Sequence, residues 1–180
     1  MSAAGSESSS GGPRQAVVVV MGVSGSGKTT VARQLAEHLG WVFAEADEFH
    51  SPASVAKMAS GVPLDDEDRW PWLADLRDWM DDRAADGRDV VLTCSALKRS
   101  YRDVLRGAAP RVRFLHLTAD PAVLTERMGS RSGHYMPASL LASQLAALQP
   151  LEPDEDGVAV DVDASVADVV RRSAAALDLR

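Results

Sequence analysis

Residues 22–29 read Gly-Val-Ser-Gly-Ser-Gly-Lys-Thr, which satisfies the pattern G-x-x-x-x-G-K-[ST] in full. The β-branched run Ala16-Val17-Val18-Val19-Val20 precedes it. Helical spacing through Val31, Leu35 and Leu39 follows, with Gly40 as a stop signal. Strand, glycine turn and helix in this register build a cradle for phosphate. The glycines let backbone N–H groups turn inward, and the helix N-terminus adds the positive end of its dipole. Lys28 supplies a point charge between terminal phosphates, and the Thr29 hydroxyl is placed to ligate Mg²⁺. Gly22, Val23, Ser24, Gly25, Ser26, Gly27, Lys28 and Thr29, with the adjoining Thr30, are the nucleotide-binding candidates. The motif alone does not separate kinases from ATPases, GTPases or nucleotide switches.

The remainder of the chain keeps alternating. Short apolar strands are predicted at 41–45, 89–93, 112–117 and 158–162, and helices at 52–60, 70–85, 99–106, 122–128, 137–148 and 165–177. Alternation of this kind implies right-handed βαβ crossovers. The predicted fold is a single-domain α/β fold: a five-stranded parallel sheet with helices on both faces and a small lid at about 129–137. Ligands of such sheets bind beyond the C-terminal strand ends. That rule gathers the cradle, Asp47, Cys94, Ser95 and residues 118–120 along one rim.

The chain has 180 residues and a net charge of -7, which argues against a broad nucleic-acid face. One cysteine, Cys94, rules out an internal disulfide and suits a reducing cytoplasm. No apolar run reaches the roughly 20 residues of a membrane span. Residues 1–15, rich in Ser, Gly and Ala, read as a disordered tail ahead of a domain at 16–180.

Phosphoryl transfer to an alcohol needs a group that orients the hydroxyl and accepts its proton. Asp47, two residues past Glu45 at the end of the second strand, suits that role and a share in the metal. His50 either meets a substrate hydroxyl or caps the next helix. The third strand ends in Thr93-Cys94-Ser95 rather than in the Asp that helps hold Mg²⁺ in many related folds. Lys98, Arg99, Arg102 and Arg106 crowd together, and Lys98, Arg102 and Arg106 fall at i, i+4, i+8 on one helix face. They, together with Arg69 in a predicted loop, are candidates for binding an anionic substrate. Arg127 and Arg131 flank Gly129; a closing lid would bring Arg131 onto the transferring phosphoryl group. Trp70, Trp72 and Trp79 read as core or pocket wall.

Several blocks together resemble the gluconokinases. They are the glycine turn through Thr30, Asp47-Glu48-Phe49-His50-Ser51-Pro52, Lys57-Met58-Ala59-Ser60-Gly61-Val62-Pro63-Leu64 and Asp66-Glu67-Asp68-Arg69-Trp70-Pro71-Trp72-Leu73. Cys94 through Asp103, Gly133-His134-Tyr135-Met136 and Ser143-Gln144-Leu145 complete the set. The resemblance implies Mg²⁺-assisted transfer from ATP to the 6-hydroxyl of D-gluconate, a cytoplasmic location and a homodimer. It implies Lys28, Asp47 and Arg131 as catalytic residues and Arg127 beside the nucleotide. Asp47, His50, Arg69, Lys98, Arg102 and His134 would face the substrate, and Thr29 and Asp47 the metal. Many members carry Asp at position 45 and Gly at 46, where this chain has Glu45 and Ala46. The residues themselves leave open a kinase of another small hydroxy acid, such as shikimate, or a nucleotide switch.

Overall fold

A computed structural model describes residues 14–130 and 138–180. Its central strand, β1 (Ala16–Met21), is apolar throughout because both of its faces are covered. Val17, Val19 and Met21 point into one core and Val18 and Val20 into another. Each fully buried valine contributes about 1.5–3 kcal/mol relative to exposure.

The sheet has five parallel strands in the order β2-β3-β1-β4-β5. These are β2 (Val42–Glu45), β3 (Val90–Thr93), β4 (Arg111–Thr118) and β5 (Gly157–Asp161). The register sets Val20 beside Thr93 and Glu45 beside Thr93, so the strands end together at one rim. Helices α1 (Lys28–Leu39) and α7 (Val166–Ala176) cover one face through Val31, Leu35, Val169 and Val170. Helices α3 (Asp66–Ala85) and α4 (Arg99–Arg106) cover the other through Leu73, Leu76, Met80 and Leu105. Helix α2 (Pro52–Ala59) leads toward α3. Helices α5 (Pro121–Gly129) and α6 (Ala138–Ala147) meet the glycine turn through a third, smaller cluster of Val23, Leu97, Leu124 and Leu141.

The expected sheet and its two helical layers are therefore present. One boundary differs in a way that matters. Helix α3 begins at Asp66, four residues before the predicted start. Asp65 Oδ1 accepts from the Asp68 N–H at 2.9 Å, and Asp68 Oδ2 accepts from the Asp65 N–H at 3.0 Å. This reciprocal cap, with three acids in the first turn, stabilises a start that reads in sequence as a polar loop. Pro71 lies in the second turn and is accommodated there. Arg69 is accordingly a helical residue with a fixed direction, not a loop residue.

Arg14 and Gln15, assigned to the tail, are bonded to the segment ahead of β4. Arg14 Nε donates to the Ala109 carbonyl at 2.6 Å, and the Gln15 carbonyl accepts from the Arg111 N–H at 2.8 Å. The rest of the expected tail, 1–13, and residues 131–137 of the expected lid lie outside the described residues. Among the described residues no helix is long and apolar enough to cross a membrane.

Candidate active site

The chain leaves β1 through a turn that only glycine fits. Gly22 has φ +142°, and a Cβ there would stand 2.8 Å from the Leu117 carbonyl oxygen. Its N–H donates to the Ser95 carbonyl at 3.3 Å, stitching the start of the turn to the segment after β3. Gly27, at φ +87°, is the residue before α1 and hands the chain into the helix. Lys28 Nζ reaches back to the Val23 carbonyl at 3.1 Å, so its ammonium lies over the turn.

Ser24, Gly25, Gly27, Lys28 and Thr29 line a cavity of about 150 Å³, together with Glu45, Asp47, Thr93, Cys94 and Ser95. The predicted cradle and the predicted acid thus share one space. Asp47 sits in a short 3₁₀ turn, Ala46–Phe49, and its side chain is 90% exposed. Glu45 is held from the neighbouring strand, where Thr93 Oγ1 donates to Glu45 Oε2 at 2.7 Å. The strand that lacks an acid at its end therefore steadies one that its neighbour provides. Cys94 is buried, and burial pushes its thiol up to about 12, which leaves it unreactive.

A second cavity of about 130 Å³ opens on the other side of Gly27. It is lined by Ser26, Thr30, Val31, Arg127, Val162 and Val166, among others. Arg127 donates to the Val162 carbonyl at 3.2 Å. Its apolar floor and polar rim suit a nucleoside, while the first cavity suits the phosphates and acceptor. Thr30 and Arg127, proposed for the nucleotide from sequence, both fall here.

On the acceptor side, the His50 side chain is 7% exposed and stacks on Trp72, with centroids 4.3 Å apart and planes 18° apart. Trp72 is fixed by its Nε1–H donating to the Ala46 carbonyl at 2.8 Å. Burial lowers the His50 pKa, opposed by Asp47 and aided by Arg69. His50 does not cap α2; Ser51 Oγ does, accepting from the Ser54 N–H at 3.1 Å. His50 Nδ1 is buried with no hydrogen-bond partner among the described residues, while Nε2 is 3.8 Å from Asp47. Arg69 donates through Nε and Nη2 to the Leu64 carbonyl and lies over the Tyr101 ring, 5.6 Å from its centroid. Among the described residues it makes no ion pair.

The basic cluster is corrected by its partners. Arg102, a substrate candidate in the sequence, has its donors occupied inside the protein: its side chain and that of Glu155 are both 0% exposed and pair at 2.6 and 2.9 Å. Its remaining donors go to the carbonyls of Ala96, Leu97, Gln149 and Pro150. All five guanidinium N–H groups are used, and none is left for a ligand. Arg102 instead holds the turn after β3, where Ala96 has a φ of +45°. The shared helix face also fails, because Lys98 is the N-cap of α4 and lies outside the helix proper. Lys98 Nζ donates to Asp66 at 3.0 and 3.2 Å, and Tyr101 donates to the same carboxylate at 2.5 Å. Those bonds, Tyr101 first, hold Asp66 below the usual carboxylate range. Arg99 is bound by Glu152 and Asp154, and Arg106 by Asp103. Arg131 and His134 lie outside the described residues.

A glycine turn of this pattern on the central strand of a parallel sheet, opening on a cavity lined by Lys28, Glu45 and Asp47, defines a P-loop kinase fold. Residues 17–151 match the family described as AAA domain. A gluconokinase of Gluconobacter oxydans (strain 621H) is 53% identical over 143 residues, 79% of this chain and 80% of that protein. The structure of an unliganded sugar kinase from Janibacter sp. HTCC2649 matches with a TM-score of 0.85 at 54% identity, covering 93% of this chain and 96% of that one. A gluconokinase from Sinorhizobium meliloti 1021 matches with a TM-score of 0.81 at 47% identity, covering 92% and 93%. The chain belongs to the gluconokinase family.

Proposed function

We infer that this enzyme transfers the γ-phosphoryl group of ATP to the 6-hydroxyl of D-gluconate, giving 6-phospho-D-gluconate and ADP. The observation that carries the reading is the single cavity shared by the cradle, Lys28 and Asp47. A phosphate held on the glycine turn and a hydroxyl at Asp47 would share that cavity, which supports the reading. The relatives supply the choice of gluconate, and they disfavour a shikimate-type kinase or a switch.

The triphosphate lies in the cradle with its nucleoside beside Thr30 and Arg127. Lys28 neutralises charge on the transferring group. Asp47 accepts the proton of the gluconate hydroxyl as the oxygen attacks in line, and the bond to the β–γ bridging oxygen breaks. Arg69 takes the carboxylate at the far end of the polyol, being a cation of this wall that makes no ion pair among the described residues and keeps guanidinium N–H groups beyond its bonds to Leu64. His50 lies between them against the sugar-acid chain. Lys98 supports this wall through Asp66 and Tyr101. By the family resemblance, Arg131 meets the transferring phosphoryl group and His134 the substrate.

Thr29, Asp47 and Glu45 offer one hydroxyl and two carboxylates to the cavity. Among the described residues no group of three or more acids, histidines or cysteines could hold a cation alone, so nucleotide oxygens would complete the shell. These hard oxygen donors fit Mg²⁺, which Thr29 and Asp47 would hold and which would supply positive charge against the phosphates. A homodimer and a cytoplasmic location accompany the family reading, and sedimentation of the purified protein tests the first.

The test is ADP formation across a panel of sugar acids and polyols. Gluconate should give turnover well above every other acceptor, and a better acceptor would refute the substrate. Asp47→Asn should lower kcat far more than it weakens ATP binding. An unchanged kcat would pass the proton to another group.

A further inference from the structure

The peptide between Val23 and Ser24 is held from both sides. Its carbonyl accepts from Lys28 Nζ at 3.1 Å and from the Ser26 N–H at 3.3 Å. Its N–H donates to Gln144 Oε1 at 2.7 Å, and Gln144 Nε2 donates to Ser24 Oγ at 3.0 Å. One side chain from α6 therefore engages both the N–H and the hydroxyl of a cradle residue 120 positions away in sequence.

Gln144 is an odd choice for its place. Leu141 and Leu145 of α6, with Leu148 just past its end, make an inward stripe that packs on Val23, Leu97 and Leu124. Gln144 interrupts that stripe. A polar amide in an apolar seam is unfavourable unless its donor and acceptor are both matched, and here both are. The C-terminal end of α6 is fastened as well. The Leu148 N–H donates to the Gln144 carbonyl, and the Gln149 N–H donates to the Leu97 carbonyl at 2.8 Å. The helix is thus a firm support from which the glutamine reaches.

Glycines at 22 and 25 bracket Val23 and Ser24, so this two-residue segment can tilt as a unit unless it is held from outside. To act on a phosphate, the Lys28 ammonium must leave the Val23 carbonyl, and one of the holds on the peptide goes with it. We propose that Gln144 is a positioning residue for phosphoryl transfer, fixing the Val23–Ser24 peptide plane while Lys28 engages the nucleotide. The proposal rests on the kinase reading above. Gln144 touches neither reacting oxygen. It decides which cradle groups face the γ-phosphoryl, and errors of about 1 Å in such placement cost on the order of 10²-fold in rate.

Gluconate-dependent ADP formation is measured for the wild type, Gln144→Ala and Gln144→Glu, with thermal melting of each. In Gln144→Ala, kcat should fall by about tenfold or more while KM for gluconate stays within about threefold and the melting temperature holds, the signature of lost transition-state placement. Gln144→Glu keeps an acceptor oxygen for the Ser24 N–H but sets a negative charge beside the triphosphate. It should regain kcat relative to Gln144→Ala while KM for ATP rises by about tenfold. An inactive wild type would refute the kinase reading itself. With an active wild type, kcat of Gln144→Ala within about twofold would overturn the role of Gln144. So would a Glu variant that loses as much kcat as the Ala variant, or a loss of rate matched by a loss of folded protein.

Discussion

Arg102 and Arg69 begin as equals in the sequence, two arginines assigned to the same anionic substrate, and the fold sends them to opposite fates. Arg102 lies inside the protein with Glu155 and four carbonyls consuming every donor. Arg69 is half-buried, bonded to the Leu64 carbonyl and over the Tyr101 ring, and makes no ion pair among the described residues. Each also has a buried histidine in its field. Burial first, then Arg102, lowers the pKa of His116; burial lowers His50, Asp47 opposes, and Arg69 adds to the lowering. A positive charge in a sequence is therefore not yet a binding group. Its availability is decided by which acids the topology brings to it.

The comparison breaks most visibly at Arg102. Arg102→Met should cost about 3–5 kcal/mol in urea unfolding, because Glu155 is left buried and uncompensated. The protein that remains folded should keep its KM for gluconate. A raised KM with little loss of stability would return Arg102 to the substrate. Lys28→Ala should be the reverse case, with kcat lower by about 10²–10³-fold and an unchanged melting temperature. Near-normal turnover would remove Lys28 from the chemistry. Arg69→Met should raise KM for gluconate by roughly tenfold or more, in line with losing a charged hydrogen bond of about 1.5–3 kcal/mol. An unaltered KM would send the carboxylate elsewhere.

The smallest effects concern protons. Both histidines are depressed in the folded state, so between their folded values and 6.5 the unfolded chain binds more protons. Stability then rises with pH across that window and is lost as pH falls below about 6.5. A flat profile in urea unfolding over that range would mean the imidazoles are not desolvated. Gluconate bound at Arg69 should raise the NMR-detected pKa of His50 and leave that of His116 where it was. Equal movement of both, or of neither, would sever Arg69 from the carboxylate.

The parts legible in sequence are the local ones. Strand β1, the glycine turn and α1 are contiguous, and their apolar period and motif need no distant partner. The parallel sheet and its two helical layers followed from alternation and the right-handed crossover, whereas the strand order β2-β3-β1-β4-β5 did not. What stayed hidden depends on residues far apart. Glu155, which consumes Arg102, lies 53 positions from it, and Glu45 meets Thr93 only through the pairing of β2 with β3. The start of α3 was masked for another reason. Asp65 and Asp68 cap each other, and that reciprocal pair looks like loop composition until the backbone connects them. Glu45 was visible as a strand-end acid, but the hydroxyl that steadies it was not.

The sheet order also separates two parts of the rim. The glycine turn follows β1, which has a neighbour on each side, whereas Glu45 ends and Asp47 follows β2, an outer strand paired among the described residues only with β3. A border strand is held from one side, so a change at Glu45 or Asp47 disturbs fewer ladder bonds than a change in β1 would.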